Sequence, residues 1–175
     1  MKKIFFFALV ALFALNVNAQ EKPVYTFTDI VNLDKTETKD QCRTGTCWSY
    51  ATGSFIESEL MRMGKGEHDL SEMFNVRMTY PKKAEMYLRY QGKTQFGPGS
   101  LSHDVINAIA NYGVVPESVY SGLQNNETEH NHAEMDAVLE AMLKALTEQR
   151  TVSEYWLEAV NGVLDAYLGE VPESF

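Results

Sequence analysis

Cysteine is nearly absent from this chain: the 175 residues hold two, Cys42 and Cys47. A scaffold stapled by several disulfides is thereby excluded. Basic residues are few as well, 15 against 24 acidic ones, for a net charge of −9. Such a chain lacks the basic patches that nucleic acid requires, so no nucleic-acid partner is expected. Histidine occurs four times, and only His130-Asn131-His132 sets two imidazoles close together. That spacing matches no known ligand set, so the segment reads as a solvated helix start, with no metal and no cofactor. No internal repeat or low-complexity tract occurs, and after residue 15 there is no long apolar run.

The one such run is at the start. Lys2 and Lys3 precede an apolar stretch from Ile4 to Leu15, and Val17-Asn18-Ala19 supplies small residues for cleavage. Residues 1–19 therefore read as a signal peptide, too short in its apolar part to span a bilayer. The expectation is an exported protein, periplasmic or secreted, with no membrane contact after signal removal. Removing 19 residues from 175 leaves 156, enough for one domain with a real core. Losing Lys2 and Lys3 takes the charge from −9 to −11.

Beyond the signal, Val24-Tyr25-Thr26-Phe27-Thr28 alternates and is rich in β-formers, which predicts a short strand. Residues 47–63 predict a central, buried helix with Trp48, Ala51, Phe55, Ile56, Leu60 and Met63 on its apolar face and Gly64 as its stop. Leu70 to Tyr90 predicts a second helix, or two broken at Pro81. Gln91 to Ser100, with three glycines and a proline, is a loop. Ser102-His103-Asp104 reads as a helix start capped by Ser102, not as part of a triad, with Val105, Ile106, Ile109 and Ala110 facing inward. Ala133 to Gln149, and a helix capped by Ser153 and stopped by Gly169, form a helical hairpin.

The chemistry concentrates in Gln41-Cys42-Arg43-Thr44-Gly45-Thr46-Cys47-Trp48. A loop turning at Gly45 delivers Cys47 to the first turn of a helix. A helix N-terminus offers unpaired N–H groups and positive partial charge, and a thiolate is stabilised there. The Cys47 N–H and the Gln41 amide make a candidate oxyanion hole for acyl transfer. Cys42 reads as a buried, inert thiol, since a bond to Cys47 would close a small ring and consume the nucleophile.

Gln41 followed by Gly45-Thr46-Cys47-Trp48 resembles the active-site segment of papain-like cysteine peptidases. Asp69-Leu70-Ser71-Glu72, Gly97-Pro98-Gly99-Ser100 and Asn111-Tyr112-Gly113-Val114-Val115-Pro116 resemble further segments of that family, in order. Tyr167-Leu168-Gly169-Glu170-Val171-Pro172, closing a helical insertion at about 127–170, resembles the bleomycin hydrolase or aminopeptidase C branch. The resemblance covers Thr36 to Phe175. It implies an α+β papain-like fold, of which the part present is predominantly α and the β-rich lobe is missing. It implies Cys47 as nucleophile, Gln41 as oxyanion donor, and Gly99, Ser100 and Trp48 as substrate-binding residues. Ser100 stands where the family usually has glycine. The catalytic histidine and asparagine would come from the absent lobe, so residues 20–175 read as a partial peptidase domain, inactive by itself. Aminopeptidase action on peptides and a homo-oligomer, a hexamer, are implied by the resemblance alone. Two classes of function stand: a cysteine peptidase, or an exported helical protein derived from the family that binds or assembles without catalysis.

Overall fold

The helix that touches most of the others begins at Ser71, whose Oγ accepts the Phe74 N–H at 3.0 Å and caps the first turn. The structure, a computed structural model, describes residues 25–173. These residues form five helices: α1 (Cys47–Arg62), α2 (Glu72–Arg89), α3 (Ser102–Tyr112), α4 (Ala133–Thr147) and α5 (Trp156–Leu168). The described residues form no sheet, only isolated bridges Arg43–Asn131 and Leu70–Pro116. The expected signal peptide at 1–19 lies outside them. Contacts divide the chain into Met1–Asn32 and Leu33–Phe175.

Residues 25–32 carry no strand, which corrects the expectation for 24–28; Val24 itself lies outside the described residues. A strand needs a ladder partner for its backbone, and none of the described residues supplies one here.

In the second unit α2 packs against α1, α3, α4 and α5. The expected central position of the Cys47 helix is therefore taken by α2. Met73, Val76, Tyr80 and Ala84 are fully buried along it, at the helical spacing of three and four residues. The helix runs unbroken through Pro81. Proline costs one backbone bond, and packing on four neighbours supports the helix around it. Met135, Leu139 and Leu143 on α4 face Val160, Leu164 and Leu168 on α5, giving the predicted hairpin a dry seam. Truncating one of these leucines to alanine costs about 2–5 kcal/mol. Arg77 ties α2 to α5 through Asp165 at 2.6 Å and Asn161 at 3.1 Å.

Four sequence expectations change. The inward face of α1 is Trp48, Ser49, Thr52, Gly53 and Glu57, while Ala51, Phe55 and Met63 face outward. Small residues win because α1 lies close to α2: a Cβ on Gly53 would stand 3.3 Å from Glu72 Oε1, and Ser49 Oγ donates to Glu72 O at 2.8 Å. On α3, Val105 and Ala108 are buried, whereas Ile106 and Ala110 are exposed. Its cap is Leu101, whose N–H is taken by Asp104, not Ser102. Likewise α5 starts at Trp156 with no side-chain cap, so Ser153 lies outside it.

Candidate active site

The loop before α1 is held by its own polar groups. Gln41 Nε2 donates to Thr44 O at 2.7 Å, and Thr44 Oγ1 returns a bond to Gln41 O at 2.8 Å. The left-handed residue is Cys42, φ 54°, with its N–H bonded to Asp40 Oδ1 at 2.7 Å. The expected turn at Gly45 is thus made at Cys42, where an Asx-type bond stabilises the conformation. Cys42 is half-buried and lines a cavity of about 470 Å³ with Lys39, Tyr50 and Glu117. Both cysteines are free. The far side of the loop is pinned to residues 130–132: Arg43 N–H donates to His130 O at 3.0 Å and His132 N–H to Arg43 O at 3.2 Å.

Cys47 is the first residue of α1 and is exposed. The N–H groups of Ser49 and Tyr50 go to Thr46 O, at 2.8 and 3.3 Å. Among the described residues nothing accepts the N–H of Cys47, which stays one of the open donors of the helix start. No acidic residue sits in that first turn.

The next residue joins this segment to the glycine loop. Trp48 is buried, and its Nε1 donates to Pro98 O at 2.9 Å. Gly45 meets the other side of the same proline: a Cβ there would stand 2.5 Å from Pro98 Cγ. Gly99 is exposed and Ser100 half-buried, with the Ser100 hydroxyl bonded to Asp104. Gln95 and residues 97–101 line a recess of about 350 Å³. The structure therefore brings Cys47, Trp48, Gly99 and Ser100 to one neighbourhood. It turns the Gln41 amide into its own loop, where one N–H is used and the second has no partner among the described residues.

Below the loop lies a charged cluster that sequence reasoning missed. Glu57, 1% exposed, accepts from Thr36 Oγ1 at 2.6 Å and from the Leu70 N–H at 2.8 Å. Lys39 reaches Asp69 at 2.6 Å, Glu72 at 2.9 Å and Glu57 at 3.5 Å. Burial pushes the Lys39 ammonium down, but these carboxylates outweigh it and hold it above its ordinary value. Burial and the negative charge of Glu72 push Glu117 up to about 7. A glutamate on the helix face shared by Ser49, Thr52 and Gly53 was the available signal.

His130 and His132 are buried, not solvated as expected, with rings 5.8 Å apart. Neither ring nitrogen of His132 has a partner among the described residues. Burial, with a smaller push from His130, brings its imidazole down to about 4. The backbone pairing with Arg43 draws this segment inward. Among the described residues no three His, Cys, Asp or Glu side chains are grouped to hold a metal ion. No described helix is long and apolar enough to cross a membrane. His103 is exposed, 3.4 Å from Asp104.

No protein-family model matches the chain, and no curated protein matches it. Among solved structures, the crystal structure of PepW from Lactobacillus rhamnosis HN001 is similar, with a TM-score of 0.62 and 19% identity. The match covers 84% of this chain and 39% of that one, so the chain spans well under half of PepW. What is shared is the fold: the described residues form five helices and no sheet, consistent with the helical portion of a papain-like peptidase.

Proposed function

We infer that this chain is the nucleophile-bearing part of a cysteine peptidase of the bleomycin hydrolase or aminopeptidase C type. The observation that carries this reading is the placing of an exposed Cys47 at the start of α1, beside the Gly97–Ser100 loop, in a fold shared with PepW. In the reaction, Cys47 Sγ attacks the peptide carbonyl carbon and the carbonyl electrons move to oxygen. The free Gln41 N–H and the Cys47 N–H receive that oxyanion. Collapse expels the amine, which takes up a proton, and water then releases the acyl group from sulfur. The proton is handled by a histidine held by an asparagine, both supplied from outside this sequence. Export, aminopeptidase preference and a hexameric assembly belong to this proposal.

The test is peptide hydrolysis by the complete polypeptide. Cys47→Ser abolishes it. Gln41→Ala lowers turnover by roughly a hundredfold to a thousandfold with little change in substrate binding. Full activity in Cys47→Ser overturns the reading.

One observation favours a non-catalytic alternative. Ala51 and Phe55 continue the outward face of Cys47 along α1, with Phe55 63% exposed, an apolar strip suited to assembly. Unchanged self-association of a Phe55→Ser variant counts against it.

A further inference from the structure

Three successive carbonyls of the loop beside Cys47 are taken by side chains of two helices. Trp48 Nε1, on α1, takes Pro98 O at 2.9 Å. Lys83 Nζ, on α2, takes Gly97 O and, at 2.7 Å, Gly99 O. Among the described residues no backbone–backbone bond holds 97–100. With glycine at 97 and 99, that loop has wide backbone freedom. Phe96 anchors its start between Tyr80 and Tyr87, and Ser100 anchors its end on Asp104. The middle packs on Gly45 through Pro98, and its carbonyls are held by Lys83 and Trp48.

The lysine is an expensive choice. Its side chain is half-buried, its ammonium lies 5.2 Å from the Tyr80 ring centroid, and it makes no ion pair among the described residues. Asp136 on α4 and Asp104 on α3 are the carboxylates whose charge reaches it. A half-buried cation without an ion pair needs strong acceptors, and the two glycine carbonyls are those acceptors. A compact ammonium with three donors suits two carbonyls on either side of a proline.

We propose that Lys83 is the positioning residue of the substrate loop: by fixing the Gly97 and Gly99 carbonyls it sets the edge on which an extended peptide lies beside Cys47. This rests on the peptidase reading above. With the carbonyls of 97, 98 and 99 turned onto Lys83 and Trp48, the backbone from Ser100 is what the loop offers to a peptide. Burial brings Lys83 down to about 8 against the pull of Asp136 and Asp104, so the hold weakens as pH rises through that value.

The chain has two tryptophans, Trp48 and Trp156, so its indole N–H signals serve as probe and control in an NMR exchange measurement. In Lys83→Met the Trp48 indole exchanges on the order of tenfold faster relative to Trp156, because Pro98 O no longer stays in place. At pH 6.5, labelling of Cys47 by a dipeptidyl chloromethyl ketone, relative to iodoacetamide, falls by about the same factor. Lys83→Arg, charged at every pH, retains both properties. An unchanged Trp48 indole in Lys83→Met overturns the proposal, and so does an opened indole with an unchanged labelling ratio. If the variant loses its helical circular dichroism, the wild-type Trp48 signal followed from pH 7 to 9 decides: a Trp48 exchange rate that rises relative to Trp156 supports the proposal and a flat ratio overturns it. A wild-type Cys47 that reacts with the peptidyl reagent no better than Cys42 sinks the peptidase reading instead. The indole signal still reports whether Lys83 holds the loop.

Discussion

Gly45 and Pro98 touch so closely that no side chain fits between them: a Cβ on Gly45 would stand 2.5 Å from Pro98 Cγ and 2.7 Å from its Cβ. The glycine is there for proximity, since its backbone has no left-handed requirement. The contact locks the loop before Cys47 to the loop that borders it.

Gly45→Ala therefore forces the two loops apart. The expected loss is about 1–3 kcal/mol in urea unfolding, the usual cost of overpacking. Gly99→Ala, where a Cβ meets nothing within 4 Å, stays near wild type. Equal losses in the two variants would contradict the contact.

Glu57 supports α1 from below. Glu57→Ala leaves the Leu70 N–H and the Thr36 hydroxyl without their acceptor and removes one partner of Lys39. The expected cost is about 3 kcal/mol, since a buried group in an ion-pair network is lost while Lys39 keeps partial solvent and two other carboxylates. Glu59→Ala, at the exposed pair with Arg62, leaves the urea midpoint where it was.

His132 gives the stability an acid limb. Its folded-state value near 4 lies below the ordinary 6.5, so between them the unfolded chain binds the extra proton. Its contribution is complete above pH 6.5 and is lost as pH falls toward 4. His132→Phe removes this dependence. Wild type should lose about 2 kcal/mol more than the variant between pH 7.5 and pH 5, by chemical denaturation at each pH. Parallel pH profiles would show that His132 is not held neutral by the fold.

Periodicity made the α4–α5 hairpin legible, because Met135, Leu139, Leu143 and Val160, Leu164, Leu168 each recur at four-residue spacing. It also placed Cys47 at a helix start. It misread α1, where spacing tells which residues share a face but not which face turns inward. Phe55 is large and apolar, yet Glu57 is the one buried, because Lys39, Thr36 and the Leu70 N–H are waiting for it. Those partners lie 13 to 21 residues away, beyond any local pattern. The same holds for Lys83, whose acceptors are carbonyls in a loop 14 and 16 residues on. His130 and His132 looked solvated because polar neighbours surround them in sequence, while a backbone bridge to Arg43 buries them.

The central claim is that Cys47 is the nucleophile, and the rate at which each thiol takes up an alkylating reagent at pH 6 tests it most directly. Mass spectrometry of the two cysteine peptides over time separates Cys42 from Cys47. Cys47 should react faster than Cys42, and faster in the folded chain than in the same chain unfolded in urea. The second comparison removes simple exposure as the cause, since an exposed but unassisted thiol gains nothing from folding. A Cys47 that reacts no faster folded than unfolded, or a Cys42 that takes the label first, contradicts the account.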